Sequence, residues 1–184
     1  MESHEGQFGL TTLAIRFWAT PQKRERPILQ LVPRRIVWPE LGGDSSNILQ
    51  FHVHAVLEYV TSDEMGPTFA GRVCDSCMLS ELASLLGQLT HIEESVGEDV
   101  RLMVLDGAVD LRLRIVDAAR SIALVCCRLD DPAEHWRRST ELVRLCEEFY
   151  SPGTLEFSFL TDQSLLARTR SDIEALLDYF ADAT

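Results

Sequence analysis

Two cysteines separated by two residues form the clearest motif with a chemical precedent. Cys74 and Cys77 have the spacing at which two thiolates bind one tetrahedral Zn²⁺ ion or form a redox-active disulfide. A zinc site needs further ligands, and His52 and His54 are candidates because alternate residues of a strand share a face. The sequence shows no βαβ pattern of the thioredoxin kind around the cysteines. Buried, unreactive thiols are the preferred interpretation, and we predict no bound metal and no cofactor.

Carboxylates concentrate in the short polar segments between the expected strands and helices. Their oxygens would suit a divalent cation, but the spacing of the acidic residues that follow His91 matches no known ligand loop. We therefore interpret them as an exposed acidic surface that binds a cationic partner, on loop position and charge alone. The candidate partner-binding residues are Asp63, Glu64, Glu93, Glu94, Glu98, Asp99, Asp130, Asp131 and Glu134.

Common catalytic motifs are absent from the sequence. It contains no G-x-S-x-G, no G-x-x-x-x-G-K-[ST], no H-E-x-x-H and no G-x-G-x-x-G after a strand. We therefore predict that the chain has no catalytic residues and is not an enzyme. A small metal-dependent hydrolase is the less favoured alternative, because catalytic groups can come together from distant positions.

The composition is that of a globular protein in a reducing compartment. Its 184 residues are 46% apolar and 25% charged, which predicts one domain with its own core. No segment approaches the roughly 18 consecutive apolar residues of a membrane span, and the first ten residues do not resemble a signal peptide. Five cysteines form an odd set without a regular framework. We expect a cytoplasmic protein that does not associate with membranes.

The net charge of −12 is unevenly distributed along the chain. Residues 1–40 hold six basic and four acidic side chains, whereas residues 41–184 hold eleven and twenty-five. An anionic surface repels phosphate backbones and accelerates association with basic proteins. The charge therefore disfavours a nucleic-acid partner and favours a basic protein.

The N-terminal quarter differs in composition from the rest. Thr11–Ala19 is apolar enough for a strand, and four prolines at six-residue intervals follow. Because proline removes a ladder donor, we expect only short edge strands and loops over residues 20–47. We place residues 1–47 as a strand and proline-rich loop region within the same domain as residues 48–184.

Hydrophobic periodicity predicts the elements of residues 48–184. Strict alternation from Val109 to Ile115 places Arg112 and Arg114 on a solvent face, and Asp106-Gly107 predicts a two-residue turn before it. A helix capped by Asp75 or Ser76 is expected over 77–91. The other expected elements are strands at 48–60, 68–75, 101–105, 121–129 and 154–160, a helix or late strand at 133–149, and a final helix after Asp162.

Strands followed by helices in this order predict an α+β fold. We expect a single domain in which an antiparallel sheet of several strands packs against two or three helices. In this arrangement residues 121–129, which are apolar on both faces, form a central strand.

The segment from Leu155 to Leu166, LEFSFLTDQSLL, is a strand that leads through an Asp-Gln-Ser turn into a leucine-bearing helix. It resembles the closing segment of the WapI-type immunity proteins of bacterial polymorphic toxin systems, and the resemblance extends over residues 52–178. It implies a protein that binds and neutralises a cognate, basic toxin domain without catalysis. The first 45 residues and the segment near 131–150 depart from the pattern. The alternative is an accessory or regulatory interaction domain of a larger complex, in which residues 20–47 dock on a neighbour.

Overall fold

The computed structural model of the chain describes residues 13–20, 27–37, 47–60, 65–92, 98–130 and 154–181. This part of the chain contains eight strands and two helices. They are β1 (Ile15–Phe17), β2 (Leu29–Val37), β3 (Ile48–Val60), β4 (Met65–Met78), α1 (Leu79–Thr90), β5 (Val100–Leu102), β6 (Val109–Asp117), β7 (Ile122–Asp130), β8 (Thr154–Asp162) and α2 (Gln163–Ala181).

The strands form two antiparallel sheets. The first has the order β1-β2-β3-β4 and the second the order β5-β6-β7-β8, so that each strand pairs with its neighbours in sequence. The predicted α+β class with antiparallel strands and a single domain is confirmed. The strands divide between two four-stranded sheets rather than joining one, and α1 lies between β4 and β5 in the chain.

The two halves of the chain repeat the same arrangement of four strands and a helix. The repeat extends to single hydrogen bonds between the halves. The N–H of Thr20, three residues after β1 ends, donates to the carbonyl of Leu160, two residues before β8 ends, at 2.7 Å. In the same way the N–H of Leu105, three residues after β5, donates to the carbonyl of Ser76, two residues before the end of β4, also at 2.7 Å. The halves are therefore joined by a pair of equivalent contacts.

Each helix packs on the first strand of the other half. α1 contacts β5 more extensively than its own β4, α2 contacts β1 more extensively than its own β8, and the helices contact each other. α1 buries Leu82, Leu85 and Leu89, and α2 buries Leu166, Thr169 and Ile173 at the same spacing. These faces and the inner faces of both sheets form one hydrophobic cluster. The core is therefore shared by both halves.

Two expectations for the first half were wrong. The proline-rich segment holds β2, a nine-residue strand inside the sheet between β1 and β3 rather than a short edge strand. The register shifts between Pro33 and Arg35, and this bulge accommodates the residue that cannot donate to the ladder. The other error concerns α1, whose N-cap is Met78, without a side-chain cap bond, rather than Asp75 or Ser76.

Asp75 instead connects the two sheets. Its carboxylate is buried, at 3% exposure, and accepts backbone N–H groups from Ser76 (2.7 Å), Asp106 (3.1 Å) and Val109 (2.8 Å). The hydroxyl of Ser76 in turn donates to the carboxylate of Asp106 at 2.7 Å. Burial is the largest influence on Asp75 and raises its pKa, although the three N–H donors act in the opposite direction. The last strand of the first sheet is thus bonded to the β5–β6 connection.

The connection between β5 and β6 is longer than the predicted two-residue turn. Between Leu102 and Val109 it spans residues 103–108, and Gly107 has a φ of +72° whereas Asp106 does not have a positive φ. A two-residue type I′ turn needs both central residues at positive φ. The backbone of Asp106 and Val109 is directed to the carboxylate of Asp75 instead, which explains the wider loop.

The remaining strand and helix predictions of the second half agree with the structure where it describes them. β7 lies centrally between β6 and β8, and Asp162 accepts the N–H of Leu165 at 3.1 Å at the start of α2. The predicted helix or strand at 133–149 lies outside the described residues.

Candidate partner-binding face of the second sheet

Alternation along β5 to β8 exposes one face of the second sheet. The odd-numbered residues of β6 and β7 are directed into the core, so the even-numbered residues are directed outward. Pairing of Arg112 with Cys126 and of Cys126 with Ser158 aligns these residues across the sheet. We call this surface the outer face; it consists of Asp99, Arg101, Asp110, Arg112, Arg114, Val116, Ile122, Leu124, Cys126, Arg128, Asp130, Thr154, Glu156, Ser158 and Leu160.

Asp110 organises one end of the outer face. It forms a two-pronged ion pair with Arg112 on the same strand, and its carboxylate lies 3.5 Å from Nε of Arg101. The hydrogen bond from Arg112 and the nearby charges of Arg101 and Arg128 hold the pKa of Asp110 below its usual value. Asp110 is therefore ionised at neutral pH and is occupied by guanidinium groups.

Two further arginines are each held through a single nitrogen. Nε of Arg114 donates to Asp99 at 2.7 Å, and Nε of Arg128 donates to Asp130 at 3.1 Å. Within the described part of the chain, the terminal Nη groups of Arg114 and Arg128 make no hydrogen bond or ion pair. Because a guanidinium carries five N–H donors, most of the donors of Arg114 and Arg128 are available to a ligand.

A shallow concavity of about 270 Å³ lies between these arginines. Leu124, Cys126 and Glu156 contribute to its lining together with Arg112, Arg114 and Arg128. Glu156 is exposed and lies opposite Arg128 in the register, and it has no ion pair within the described residues. The concavity is therefore lined by both charges and by an apolar side chain.

Apolar side chains continue the outer face beyond Arg114. Val116 is 50% exposed and Leu160 is 42% exposed. Leu124 lies between Arg114 and Leu160 in the register, and Ile122 lies opposite Asp117, next to Val116. Val116, Ile122, Leu124 and Leu160 form an apolar patch beside the arginines. Interfaces between proteins typically combine such an apolar centre with arginines and a polar rim.

The structure describes three of the nine acidic residues that were predicted to bind a partner. Glu98 and Asp99 are exposed and precede β5, and Asp130 is half-buried at the end of β7. Asp99 and Asp130 hold Arg114 and Arg128, so both belong to the outer face. The other six lie outside the described residues: Asp63, Glu64, Glu93, Glu94, Asp131 and Glu134.

Sequence reasoning placed the carboxylates in the candidate site but omitted the arginines. Alternation in β6 already predicted an outward position for Arg112 and Arg114. Their association with Arg128 depends on the pairing of β6 with β7, which the sequence alone does not give.

The cysteines and histidines do not form a metal cluster in the described residues. Cys74 is exposed on the outer side of β4, opposite His52, whereas Cys77 is buried. The rings of His52 and His54 stack with their centroids 6.2 Å apart. In the part of the chain that the structure describes, no group of three or more His, Cys, Asp or Glu side chains is placed to hold a metal ion. The preference for buried thiols therefore holds for Cys77 and is wrong for Cys74.

Comparison with known proteins gives one distant structural likeness. No family model matches the sequence. No curated protein matches it either. A chain from the crystal structures of MRP1/MRP2 of Trypanosoma brucei is similar to 91% of this chain over 84% of its own length, with 16% sequence identity and a TM-score of 0.41. A likeness at this level supports no inference about what the present chain binds. Neither described helix is both long and apolar enough to span a membrane.

Proposed function

We propose that the chain is a non-catalytic, immunity-type protein that binds and neutralises a cognate toxin domain. The observation that carries this proposal is the outer face, where Arg114 and Arg128, whose Nη donors have no partner among the described residues, lie on the same surface as the exposed side chains of Val116 and Leu160. Arginine is among the residues that contribute most to the binding energy of protein interfaces, and covering exposed apolar side chains adds a favourable burial energy. The resemblance of the segment from Leu155 to Leu166 to WapI-type immunity proteins supplies the kind of partner.

The charge of the chain supports a basic partner. A net charge of −12 produces a negative field that accelerates the approach of a cationic protein and weakens as salt increases. Such steering acts on the rate of association, whereas the contacts at the docked surface determine the rate of dissociation. The charge of the whole chain therefore affects how fast a partner arrives, and the outer face determines how long it stays bound.

An inhibitor that acts by binding neutralises its target in a fixed molar ratio, which a titration can measure. The test uses the protein domain encoded by the reading frame next to the gene of this chain, expressed with and without it. We expect the domain to arrest bacterial growth alone, the chain to restore growth, and titration of the purified proteins to end at one equivalent. Loss of the toxic activity at far less than one equivalent would indicate an enzyme instead. The absence of binding in calorimetry would reject the immunity function.

A further inference from the structure

We infer that the outer face is the docking site for one kind of partner segment, an apolar side chain flanked by carboxylates. This inference rests on the proposed function and adds the location of the contact and the chemistry that it recognises. Its evidence lies in the described contacts of Arg114, Arg128, Leu124 and Leu160.

The arginines of the outer face are positioned before a partner arrives. Asp99 and Asp130 each bind the Nε edge of an arginine, which restrains the side chain and leaves its Nη groups without a partner in the described residues. A restrained guanidinium loses less conformational entropy when it binds a carboxylate than a freely rotating one does. Arg114 and Arg128 are therefore pre-positioned to bind carboxylates through their Nη groups.

The apolar patch lies beside Arg114, and Arg128 lies four residues further along β7 from Leu124. Leu124 is the direct cross-strand neighbour of Arg114 on one side and of Leu160 on the other. Directly opposite residues of an antiparallel pair have Cβ atoms roughly 5 Å apart, so the guanidinium and the two leucines share one docking area. A ligand side chain that covers Leu160 can place a neighbouring carboxylate near Arg114.

Such a segment is compatible with a partner of positive net charge. The field of the whole chain acts over about a Debye length, roughly 10 Å at 0.1 M salt, whereas a guanidinium binds a carboxylate at about 3 Å. A nucleic acid would also present anions to Arg114 and Arg128, but the body of the chain repels its backbone and Val116 and Leu160 would stay exposed. A protein segment satisfies both the arginines and the apolar patch.

The experiment compares substitutions on the outer face with matched substitutions elsewhere. The face variants are R114Q with R128Q, and separately L160S; all three side chains are about half exposed and lie outside the core, so folding should be retained. The arginine control is R120Q, because Arg120 is exposed and pairs with Asp117 in the β6–β7 turn. The leucine control is L105S, because Leu105 is 47% exposed in the β5–β6 connection. Circular dichroism verifies that each variant is folded.

The probe is the purified domain encoded by the adjoining reading frame, and its dissociation constant is measured by calorimetry. We expect each face variant to weaken binding at least about tenfold and each control to change it less than about twofold. Binding that is equal for face and control variants would overturn the docking site and leave the proposed function intact. No binding to the unaltered chain would reject both.

Two further measurements decide between occupants of the outer face. Fluorescent oligothymidylate is titrated against the same variants, and light scattering gives their molecular mass. Binding of oligothymidylate that R114Q/R128Q abolishes would overturn the inference in favour of a nucleic acid. A dimer that the face variants dissociate would overturn it in favour of a second copy. A monomer without affinity for oligothymidylate supports a protein segment as the occupant.

Discussion

The hydroxyl of Thr169 on α2 donates a hydrogen bond of 2.6 Å to the backbone carbonyl of Arg16 in β1. One turn further along α2, the carboxylate of Asp172 accepts both the backbone N–H and the guanidinium of Arg16, each at 3.1 Å. β1 is an edge strand of the first sheet, and edge strands expose backbone groups that can pair with other chains. Side chains of α2 satisfy these groups in place of a further strand.

Replacing Thr169 with valine should destabilise the protein by about 1–2 kcal/mol, since it removes the hydrogen bond that the buried hydroxyl of Thr169 donates to the carbonyl of Arg16. The free energy of unfolding in urea measures the change. Thr90→Val is the matched control, because the exposed hydroxyl of Thr90 donates to Leu86 within α1. The control should change stability by less than about 0.5 kcal/mol. Equal effects of the two substitutions would contradict the role given to Thr169.

Asp75→Asn should cost about 2–4 kcal/mol, because asparagine keeps only one acceptor oxygen and its NH2 group cannot accept, so at least one of the buried N–H groups of Ser76, Asp106 and Val109 loses its partner. Urea unfolding gives the loss of stability, and amide exchange at Val109 reports whether the β5–β6 connection opens. Asp117→Asn serves for comparison, since this exposed carboxylate accepts the backbone N–H of Arg120 at 3.1 Å. A loss below 1 kcal/mol for Asp75→Asn would show that the sheets are held together elsewhere.

The ionised carboxylate of Asp162 should stabilise the protein at neutral pH, and this contribution should be lost at acidic pH. The hydroxyl of Ser164 and the N–H of Leu165 hold the pKa of Asp162 below its usual 3.8. The folded state therefore binds this proton more weakly than the unfolded state does. The resulting stability is complete above about pH 5 and is lost as the pH falls through the lowered pKa.

Substitution separates the charge of Asp162 from its capping function. Asp162→Ala should lose about 1 kcal/mol at pH 7, whereas Asp162→Asn retains an oxygen that can cap α2 and should lose less. The stability difference between the unaltered chain and Asp162→Asn should shrink between pH 5 and pH 2. Unfolding in urea at several pH values measures it, and a constant difference would exclude the charge of Asp162 as its source.

The cysteines should differ in their reaction with a maleimide. Burial raises the pKa of the Cys77 thiol to about 12, and it does the same for Cys127. At pH 7.5 we expect these two thiols to react only after unfolding, whereas the exposed Cys74 and the half-buried Cys126 react in the folded protein. Peptide mass spectrometry identifies the labelled positions. Rapid labelling of Cys127 without denaturant would contradict the packing of β7.

The sequence predicted elements wherever the hydrophobic period was strong. Alternation from Val109 to Ile115 gave β6 and the orientation of its side chains, and the apolar spacing after Asp162 gave α2. These signals are local, because each residue is directed inward or outward by the geometry of its own element. The α+β class followed from the order of the elements.

The errors and omissions concern interactions between distant residues. Asp75 has the residue type of a helix cap, but its donors Asp106 and Val109 lie in the next half of the chain. Pro33 is tolerated inside the first sheet because of a bulge against β3. The candidate site likewise depends on the register of β6, β7 and β8, which brings Arg114, Leu124 and Leu160 together. Neither composition nor periodicity determines such a register.

The exchange of helices between the halves has a consequence for synthesis on the ribosome. α2, at the C-terminal end of the described chain, covers β1 at the other end, and α1 covers β5. The N-terminal half therefore lacks part of its own core until α2 has left the exit tunnel. We expect nascent chains that end before Gln163 to remain open to protease and to engage ribosome-associated chaperones, and protection to arise in a single late step.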